Sequence, residues 1–337
     1  MRMVQISKPG APLRLIDSPR PGATAGQVRI QVQAAGINFA DLMVRRGYYA
    51  AAKGLYPLAP GFEFAGRVLQ APAESGLAEG REVFGITRFG GYASEICVEP
   101  WQVFPRPAGW SAEDCAGLPA VFLTAWHGLF RTAKVEAGET LLVHSAAGGA
   151  GGAFVQLGKI AGCRVIGVVG SPEKIAAARN LGADAVVDRS AGPLWERADG
   201  LAPEGFDAIF DSGGVGTLRP GFSRLKPGGR LAVYGFAEIF PRRGGLWLLS
   251  LAYNRLRVPS FSPFEMTGTN RTVSGFNVVH LFHERERVQR AMGEILGWIA
   301  EGRIKKPSVR SFPAERAAEA HALLASGTTV GKLVLTF

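Results

Sequence analysis

Cysteine is scarce in this sequence, with three residues, Cys97, Cys115 and Cys163, among 337. They are too few and too widely spaced for a disulfide-stapled scaffold or for a four-thiolate zinc lobe. We therefore expect a cytoplasmic protein that folds around a hydrophobic core. The composition, 47% hydrophobic and 20% charged residues, suits such a core and excludes an intrinsically disordered chain.

Long apolar runs are also missing. The most apolar stretch, residues 246–253, is far shorter than the ~20 residues that cross a bilayer. The first residues lead into a polar stretch rather than into the apolar core of a targeting peptide, so we expect neither a membrane span nor a leader. Peripheral membrane contact stays open, because Arg and Trp surround the apolar run within residues 240–264. That pattern suits a helix that lies at a membrane interface or caps a lipophilic substrate pocket, and it also suits a helix packed on its own sheet.

The charge balance is strongly positive. There are 38 Lys and Arg residues against 28 Asp and Glu residues, which gives a net charge of +10. Such a balance favours anionic partners, among them phosphorylated cofactors, thioester carriers, anionic membranes and nucleic acids. The basic residues form only short clusters, such as Lys305-Lys306, without the interleaved aromatic residues of RNA-binding sheets. We therefore expect no nucleic-acid partner.

The pattern of apolar residues changes along the chain. The first 110 residues or so consist of short extended pieces between turns, such as residues 28–33, which alternate with period two and predict a β-rich domain. From Glu139 onwards, apolar strands alternate with amphipathic helical stretches. This alternation predicts parallel strands with right-handed crossovers, so the expected fold class is α/β with a doubly wound Rossmann sheet.

A glycine cluster lies between the first strand of this region and the following helix, in residues 141–152. Small residues there allow a tight turn, let the backbone approach a pyrophosphate and expose the N–H groups of the helix to its charge. The strand–loop–helix context predicts a dinucleotide site, whereas glycines alone would also suit an ordinary turn. The expected pyrophosphate contacts are Gly148, Gly149, Ala150 and Gly151.

The end of the next strand indicates which dinucleotide binds. An acidic residue there would bind a ribose 2′-hydroxyl and repel a 2′-phosphate. The strand instead ends with Gly170 and Ser171, and Lys174 follows, while Arg189 comes just after the third strand. This arrangement favours NADP(H), although Lys174 could also be an ordinary solvated helix residue.

Several separated motifs carry a family resemblance over nearly the whole chain. They are residues 35–42, 60–66, the glycine loop, 167–174 and 330–335, in that order. Together they resemble the zinc-independent quinone oxidoreductase branch of the medium-chain dehydrogenase/reductase superfamily, which includes zeta-crystallin. Residues 38–43 and 272–277 are most similar to the vesicle amine transport protein group within that branch.

The resemblance implies an interrupted domain. A GroES-like β-barrel domain would comprise residues 1–121 and 263–337, and a Rossmann NADP-binding domain would comprise residues 122–262. Substrate would bind in the cleft between them, and a homodimer would form through the edge strand at residues 273–278.

The resemblance also implies the loss of the catalytic zinc. Where zinc enzymes of the superfamily have a Cys and a His ligand, this sequence has Asn38 and Phe62, and residues 116–125 contain no Cys or Asp. Neither an amide nor a phenyl ring replaces those ligands, so we expect no zinc. Without a Lewis acid, the accessible chemistry is hydride transfer from NADPH to an acceptor that is already electron-poor.

Site residues follow from the same resemblance. Asn38 would border the nicotinamide, Thr124 would contact the nicotinamide or its ribose, and Tyr49 would line the substrate cleft. Tyr49 could instead only pack, and Met43 replaces a second pocket tyrosine. The implied cofactor contacts beyond the glycine loop are Gly170, Ser171, Lys174 and Arg189 around the 2′-phosphate, and Tyr234, Gly235, Phe236 and Phe276.

The expected activity is NADPH-dependent reduction of a quinone or another small conjugated carbonyl compound. Two alternatives stay open. One is an enoyl-thioester or enone reductase, whose phosphopantetheine substrate would suit the positive charge. The other is a non-enzymatic, membrane- or lipid-associated protein that retains dinucleotide binding.

Overall fold

The computed structural model describes residues 1–237, 253, 254 and 256–337. The chain divides into two compact units. One comprises Met1–Leu123 and Val279–Phe337, and the other comprises Thr124–Val278. Most of the segment 240–264, for which a membrane-interface helix was one interpretation, lies outside the described residues. No helix in the described part of the chain is long and apolar enough to cross a membrane.

The strands follow one another along both units. In chain order they are β1 (Arg2–Gln5), β2 (Arg14–Asp17), β3 (Val28–Ile37), β4 (Glu63–Gln70), β5 (Glu82–Ile86), β6 (Glu95–Val98), β7 (Val103–Pro105), β8 (Thr140–Val143), β9 (Arg164–Val169), β10 (Ala185–Asp188), β11 (Phe206–Asp211), β12 (Leu225–Val233), β13 (Thr272–Gly275), β14 (Val309–Pro313) and β15 (Lys332–Thr336).

The α-helices are mostly short. In chain order they are α1 (Phe39–Arg46), α2 (Ala112–Ala116), α3 (Pro119–Trp126), α4 (Gly149–Ile160), α5 (Ile175–Asn180), α6 (Leu194–Leu201), α7 (Leu218–Ser223), α8 (Pro263–Thr269), α9 (Arg285–Ala300) and α10 (Ala317–Ser326). A π-helical stretch, His127–Ala133, continues α3, and short 3₁₀ turns at Ala50–Ala52, Pro172–Lys174, Val278–His283 and Ala314–Arg316 connect other elements.

The first unit is built on a seven-stranded sheet. Its order is β14-β15-β3-β4-β5-β7, and β6 also pairs with β3. The pairs are antiparallel except β14 with β15. Alternate residues are buried over residues 28–33 of β3, as the period-two pattern predicted, because one face of the sheet covers an apolar core, and the last four residues of the strand are all buried. That core includes Val28, Ile30, Val32, Phe64, Val83, Phe312 and Leu333.

The second unit contains a six-stranded sheet in the order β10-β9-β8-β11-β12-β13, and every pair is parallel. This doubly wound arrangement confirms the predicted Rossmann sheet. The strand order reverses between β8 and β11, which is where ligands bind in open sheets of this kind. The central strands β8, β9 and β11 are mostly apolar and buried because helices cover both faces of the sheet.

The returning segment joins the first unit later in the chain than the boundary at residue 263 expected from the sequence. Strand β13 pairs with β12, from Arg230 opposite Thr272 to Val233 opposite Gly275. This pairing keeps residues 263–278 in the second unit, and the first unit resumes at Val279.

Candidate functional site

The glycine loop follows β8 and leads directly into α4. Gly148 is the N-cap residue, and the N–H groups of the first helical turn receive no side-chain cap from the described residues. Gly148, Gly149 and Ala150 are partly exposed, whereas Gly151 is buried. The loop therefore presents uncapped N–H groups and a positive helix end at the carboxyl edge of the sheet, which suits a pyrophosphate.

Only a glycine fits at position 151, because the first turn of α4 lies very close to the backbone of the glycine loop. A Cβ at this position would lie 2.1 Å from the carbonyl oxygen of Ser145, far inside contact distance. Ser145 itself has a positive φ of 56°, so the turn is tightly constrained. The observed backbone forms a cradle that side chains would fill, and NADP(H) fits it in this respect.

Two polar residues at the point of strand reversal were missed by the sequence interpretation. His144 directly follows β8, Asp211 ends β11, and both are buried. Nε2 of His144 and Oδ2 of Asp211 lie 3.8 Å apart, and neither atom has a hydrogen-bond partner among the residues that the structure describes. The other carboxylate oxygen of Asp211 accepts from the backbone N–H groups of Gly213 and Gly214. Such orphaned atoms beside the glycine loop are consistent with a polar ligand there.

The residues predicted around a 2′-phosphate meet at the ends of β9 and β10. The guanidinium of Arg189 lies over Gly170, because a Cβ there would be 3.6 Å from its Nε. Ser171 directly precedes the 3₁₀ turn that follows β9, and Lys174 is the last residue of that turn. The structure thus brings Gly170, Ser171, Lys174 and Arg189 into one corner of the second unit.

Two carboxylates in the same corner accept hydrogen bonds from neighbouring serine residues. The hydroxyl of Ser171 hydrogen-bonds to Glu173 and lowers the pKa of that carboxyl. The hydroxyl and backbone N–H of Ser190 donate to Oδ1 of Asp188 at 2.7 and 2.9 Å, and they lower its pKa. Ser171 therefore holds Glu173 in this structure, a contact that the sequence did not predict.

Aromatic residues line the end of β12. The ring of Tyr234 packs against Phe154, with ring centroids 4.8 Å apart, and against Phe276, with centroids 6.2 Å apart. Burial raises the pKa of the Tyr234 hydroxyl. Gly235 and Phe236 follow on the chain, and Phe236 is exposed. Of the residues predicted for the nicotinamide half, Tyr234 and Phe276 are in direct contact.

In the first unit, Asn38 is part of a network of buried charges. It lies between β3 and α1, and its amide oxygen accepts from Nζ of Lys332 at 2.7 Å. Its amide nitrogen donates to Oε1 of Glu63 at 2.8 Å. Lys332 and Glu63 are themselves joined at 2.8 Å and are 3% and 0% exposed, so this ion pair is removed from solvent.

Glu63 and Lys332 belong to the motifs at residues 60–66 and 330–335, but the sequence did not predict a role for either residue. The signal was nevertheless present, since Glu63 and Lys332 each stand directly before an apolar run, residues 64–66 and 333–335. Charges are rarely buried unless they are paired, so two such residues predict a pair.

A second buried chain of polar groups starts at Asp41 in α1. Its carboxylate accepts from the backbone N–H groups of Asn38 and Gly61, both at 2.8 Å. Burial raises the pKa of Asp41 to about 7 despite these hydrogen bonds. The hydroxyl of Tyr92 bonds to Asp41 and lies 3.1 Å from Nε2 of His321, whose pKa burial lowers to about 3.

Tyr49 and Thr124 lie in different surroundings. The ring of Tyr49 packs edge-on against Phe62 and Phe89, with centroids 5.5 and 6.5 Å apart. Phe62, the residue at the ligand position of zinc enzymes, is thus part of an aromatic cluster. Thr124 is half-buried in α3, one turn after Ala120, whose N–H donates to Oε2 of Glu63 at 2.8 Å.

No group of three or more His, Cys, Asp or Glu residues in the described part of the chain could hold a metal ion. The thiols of Cys97, Cys115 and Cys163 are free. Burial raises the pKa of Cys115 to about 12 and that of Cys163 to about 11, so these two stay protonated near neutral pH.

Comparison with family models matches both parts of this architecture. Residues 24–108 match the alcohol dehydrogenase GroES-like domain, and residues 181–335 match the zinc-binding dehydrogenase family.

Individual relatives extend over nearly the whole chain. The human synaptic vesicle membrane protein VAT-1 homolog is 31% identical over 98% of this chain and 81% of its own length. The spectinabilin polyketide synthase system protein NorB of Streptomyces orinoci is 33% identical over 96% of this chain, which corresponds to 14% of that protein. The quinone oxidoreductase of Thermus thermophilus, also solved in complex with NADPH, is 31% identical, with a TM-score of 0.84 and full coverage of both chains.

Proposed function

The chain belongs to the zinc-independent quinone oxidoreductase and VAT-1 group of the medium-chain dehydrogenase/reductase superfamily, and from this premise we propose that it reduces a quinone or another conjugated carbonyl compound with NADPH. An NADP(H)-dependent oxidoreductase of this superfamily is the broader conclusion. The acceptor class is the finer part of the proposal.

One observation carries the proposal. The glycine loop, the uncapped start of α4 and the orphaned atoms of His144 and Asp211 meet at the strand reversal of a parallel sheet in the described part of the chain. When bound, NADPH supplies a hydride. Backbone N–H groups of the glycine loop and α4 would hold its pyrophosphate, and Lys174 and Arg189 would neutralise its 2′-phosphate.

The polar groups around Asn38 in the first unit support the proposed class of acceptor. Asn38 presents an amide, and beside it lies the ammonium of Lys332 within an ion pair. This set stabilises a developing negative charge on oxygen by hydrogen bonding, and its carboxylate, Glu63, is already engaged by Lys332, Asn38 and Ala120. The reaction in the favoured direction is therefore the reduction of an electron-poor acceptor.

A panel of acceptors tests the proposal. The purified protein with NADPH is offered a naphthoquinone, an α,β-unsaturated ketone and an enoyl thioester, and loss of the absorbance of reduced nicotinamide is followed. We expect turnover with at least one acceptor, and no turnover with any of them contradicts the proposal. Preference for the thioester would favour the second candidate, an enoyl-thioester reductase, which the polyketide synthase relative supports.

We also propose a homodimer. Strand β13 is the last strand in the described sheet and pairs with β12 on one side, which leaves its other edge available to a second copy. Light scattering during size-exclusion chromatography measures the mass directly, and a monomer at micromolar concentration contradicts this part of the proposal.

A further inference from the structure

The side-chain amide of Asn38 can adopt only one orientation. An ammonium group has three donors and no acceptor, and a carboxylate only accepts. Because Lys332 lies at one end of the amide and Glu63 at the other, the amide oxygen must face Lys332 and the amide nitrogen must face Glu63. The usual ambiguity between the two ends of an Asn amide is therefore resolved by charge.

The ion pair that orients Asn38 is itself saturated. Nζ of Lys332 donates to the carbonyl oxygen of Ile37 at 3.1 Å, to Oδ1 of Asn38 and to Oε1 of Glu63. Oε1 of Glu63 also accepts from Asn38, and Oε2 accepts from the N–H of Ala120. Lys332 therefore has an acceptor for each of its three N–H groups, so neither charge has reason to move away.

The site also leaves no room for rearrangement. A Cβ on Gly36 would lie 2.2 Å from Oε1 of Glu63 and 2.2 Å from the carbonyl oxygen of Ala116. The strand that precedes Asn38 is thus packed directly against the carboxylate. A half-turn of the Asn38 amide would put two donors together and two acceptors together in this buried space and leave each of them without a partner.

One amide hydrogen of Asn38 remains. The nitrogen carries two hydrogens, one of which goes to Glu63, and the described residues offer no acceptor to the other. Asn38 is only half-buried, in contrast to Glu63 and Lys332. What Asn38 presents outside the ion pair is therefore a donor and never a carbonyl oxygen.

We propose that Lys332 and Glu63 are positioning residues that hold the free N–H of Asn38 as the hydrogen-bond donor to the carbonyl oxygen of the acceptor. When a hydride adds to the conjugated carbon, the C=C electron pair moves toward the carbonyl and its oxygen takes the negative charge. The N–H of Asn38 stabilises that oxygen, NADP⁺ is left, and a proton from solvent completes the product. This inference rests on the proposed reductase activity.

The test uses three variants of the full chain. Asn38→Ala removes the donor. Glu63→Gln with Lys332→Met removes both buried charges together and keeps similar volumes, so no unpaired charge is left. In this pair variant the carbonyl of Gln faces Ala120, its NH₂ faces Asn38, and the Asn38 amide turns so that an acceptor replaces the donor. The third variant combines all three substitutions.

We expect Asn38→Ala and the pair variant each to lower kcat/KM for a conjugated ketone by about 100-fold, the lower end of the range for an oxyanion donor. The dissociation constant of NADPH should stay unchanged. The triple variant should lose no more than either parent, because all three changes remove one interaction.

A purely structural role predicts different results. It would lower the melting temperature of the pair variant and leave its kcat/KM at the wild-type value, and that outcome overturns the inference. Losses that multiply in the triple variant also overturn it. Lys226→Met with Asp207→Asn, which removes a half-buried ion pair of the second unit, is the matched control and should affect melting alone.

Two further readouts keep the outcome clear. If the pair variant does not fold, Asn38→Asp keeps the shape and the acceptor for Lys332 but lacks the N–H, so wild-type kcat/KM in this variant overturns the inference. If none of the acceptors leads the wild-type protein to oxidise NADPH, the proposed function fails. If the wild-type protein is active and Asn38→Ala is equally active, the proposed function stands and this inference fails.

Discussion

At the scale of single residues, the proposed preference for NADP(H) rests on the corner at the ends of β9 and β10. Lys174 and Arg189 lie in one corner with Gly170, and the neighbouring carboxylates of Glu173 and Asp188 are held by serine hydroxyls. A serine-bound carboxylate is a weaker competitor for the cations than a free one would be. The corner thus holds two cations and two serine-bound carboxylates, and Lys174 and Arg189 are the groups that we propose to bind a 2′-phosphate.

Replacing Lys174 with Ala should weaken NADPH much more than NADH. A charge-assisted hydrogen bond contributes about 1.5–3 kcal/mol, so the dissociation constant of NADPH should rise roughly 10- to 100-fold, and that of NADH should change little. Fluorescence titration with both nucleotides measures this. Arg179→Ala, an exposed cation near the end of α5, is the control, and equal losses for the two nucleotides in Lys174→Ala would refute the 2′-phosphate contact.

Asp41 and His321 should give the free energy of unfolding opposite dependences on pH. The pKa of Asp41 rises from 3.8 to about 7 on folding, so its contribution is complete below about pH 4 and is lost as the pH rises to 7. The pKa of His321 falls from 6.5 to about 3, so its contribution is complete above pH 6.5 and is lost as the pH falls. Between about pH 4 and 6.5, the slopes that the two residues give to the free energy of unfolding against pH cancel.

Without His321, the pH dependence that Asp41 gives to the free energy of unfolding should become measurable. In His321→Gln, the free energy of unfolding should decrease as the pH rises from 4 to 6.5, by at most about 1.4 kcal/mol per pH unit relative to wild type. Urea unfolding at several pH values measures it. A curve parallel to that of the wild type would contradict the assignment.

The residues that carry charge inside the first unit show what sequence reasoning could reach. Asn38 was predicted as a site residue from its motif, and its orientation was not predictable, because Lys332 lies 294 positions away in the chain. Only the pairing of β15 with β3 brings them together. His144 and Asp211 were similarly hidden, since their proximity follows from the pairing of β8 with β11.

At the scale of elements, the glycine loop and α4 form the most constrained part of the second unit. The order of strands and helices from Glu139 to β12 was predictable, because short apolar segments alternate there with amphipathic helical stretches. The edge strand β13 was expected only through the family resemblance. Its short sequence, Thr272–Gly275, carries too little pattern to predict a strand.

Gly151→Ala should damage both stability and cofactor binding. Its Cβ would meet the carbonyl oxygen of Ser145 at 2.1 Å, so α4 must shift away from the loop. We expect a loss of about 1–3 kcal/mol in the free energy of unfolding and a weaker affinity for NADPH. Gly200→Ala in α6 has open space around its Cβ and is the matched control, which should be neutral or slightly stabilising. Wild-type NADPH affinity in Gly151→Ala would contradict this view of the loop.

At the scale of the whole molecule, composition excluded classes of protein more readily than it located boundaries. The interrupted arrangement of the two units was implied by the resemblance. The return at Val279 depends on a strand pairing that the linear pattern does not reveal. The net charge of +10 favours anionic partners, and Lys174 and Arg189 account for a small part of it.

The central claim is direct hydride transfer from NADPH to a conjugated acceptor without a catalytic metal. The most direct test is a single-turnover stopped-flow measurement, in which the protein loaded with NADPH is mixed with a naphthoquinone, an enone or an enoyl thioester. We predict that the absorbance of reduced nicotinamide falls with at least one acceptor, more slowly when C4 of NADPH carries deuterium, and at the same rate after treatment with a metal chelator. No decrease with any acceptor, or a decrease that the chelator abolishes, would contradict the claim.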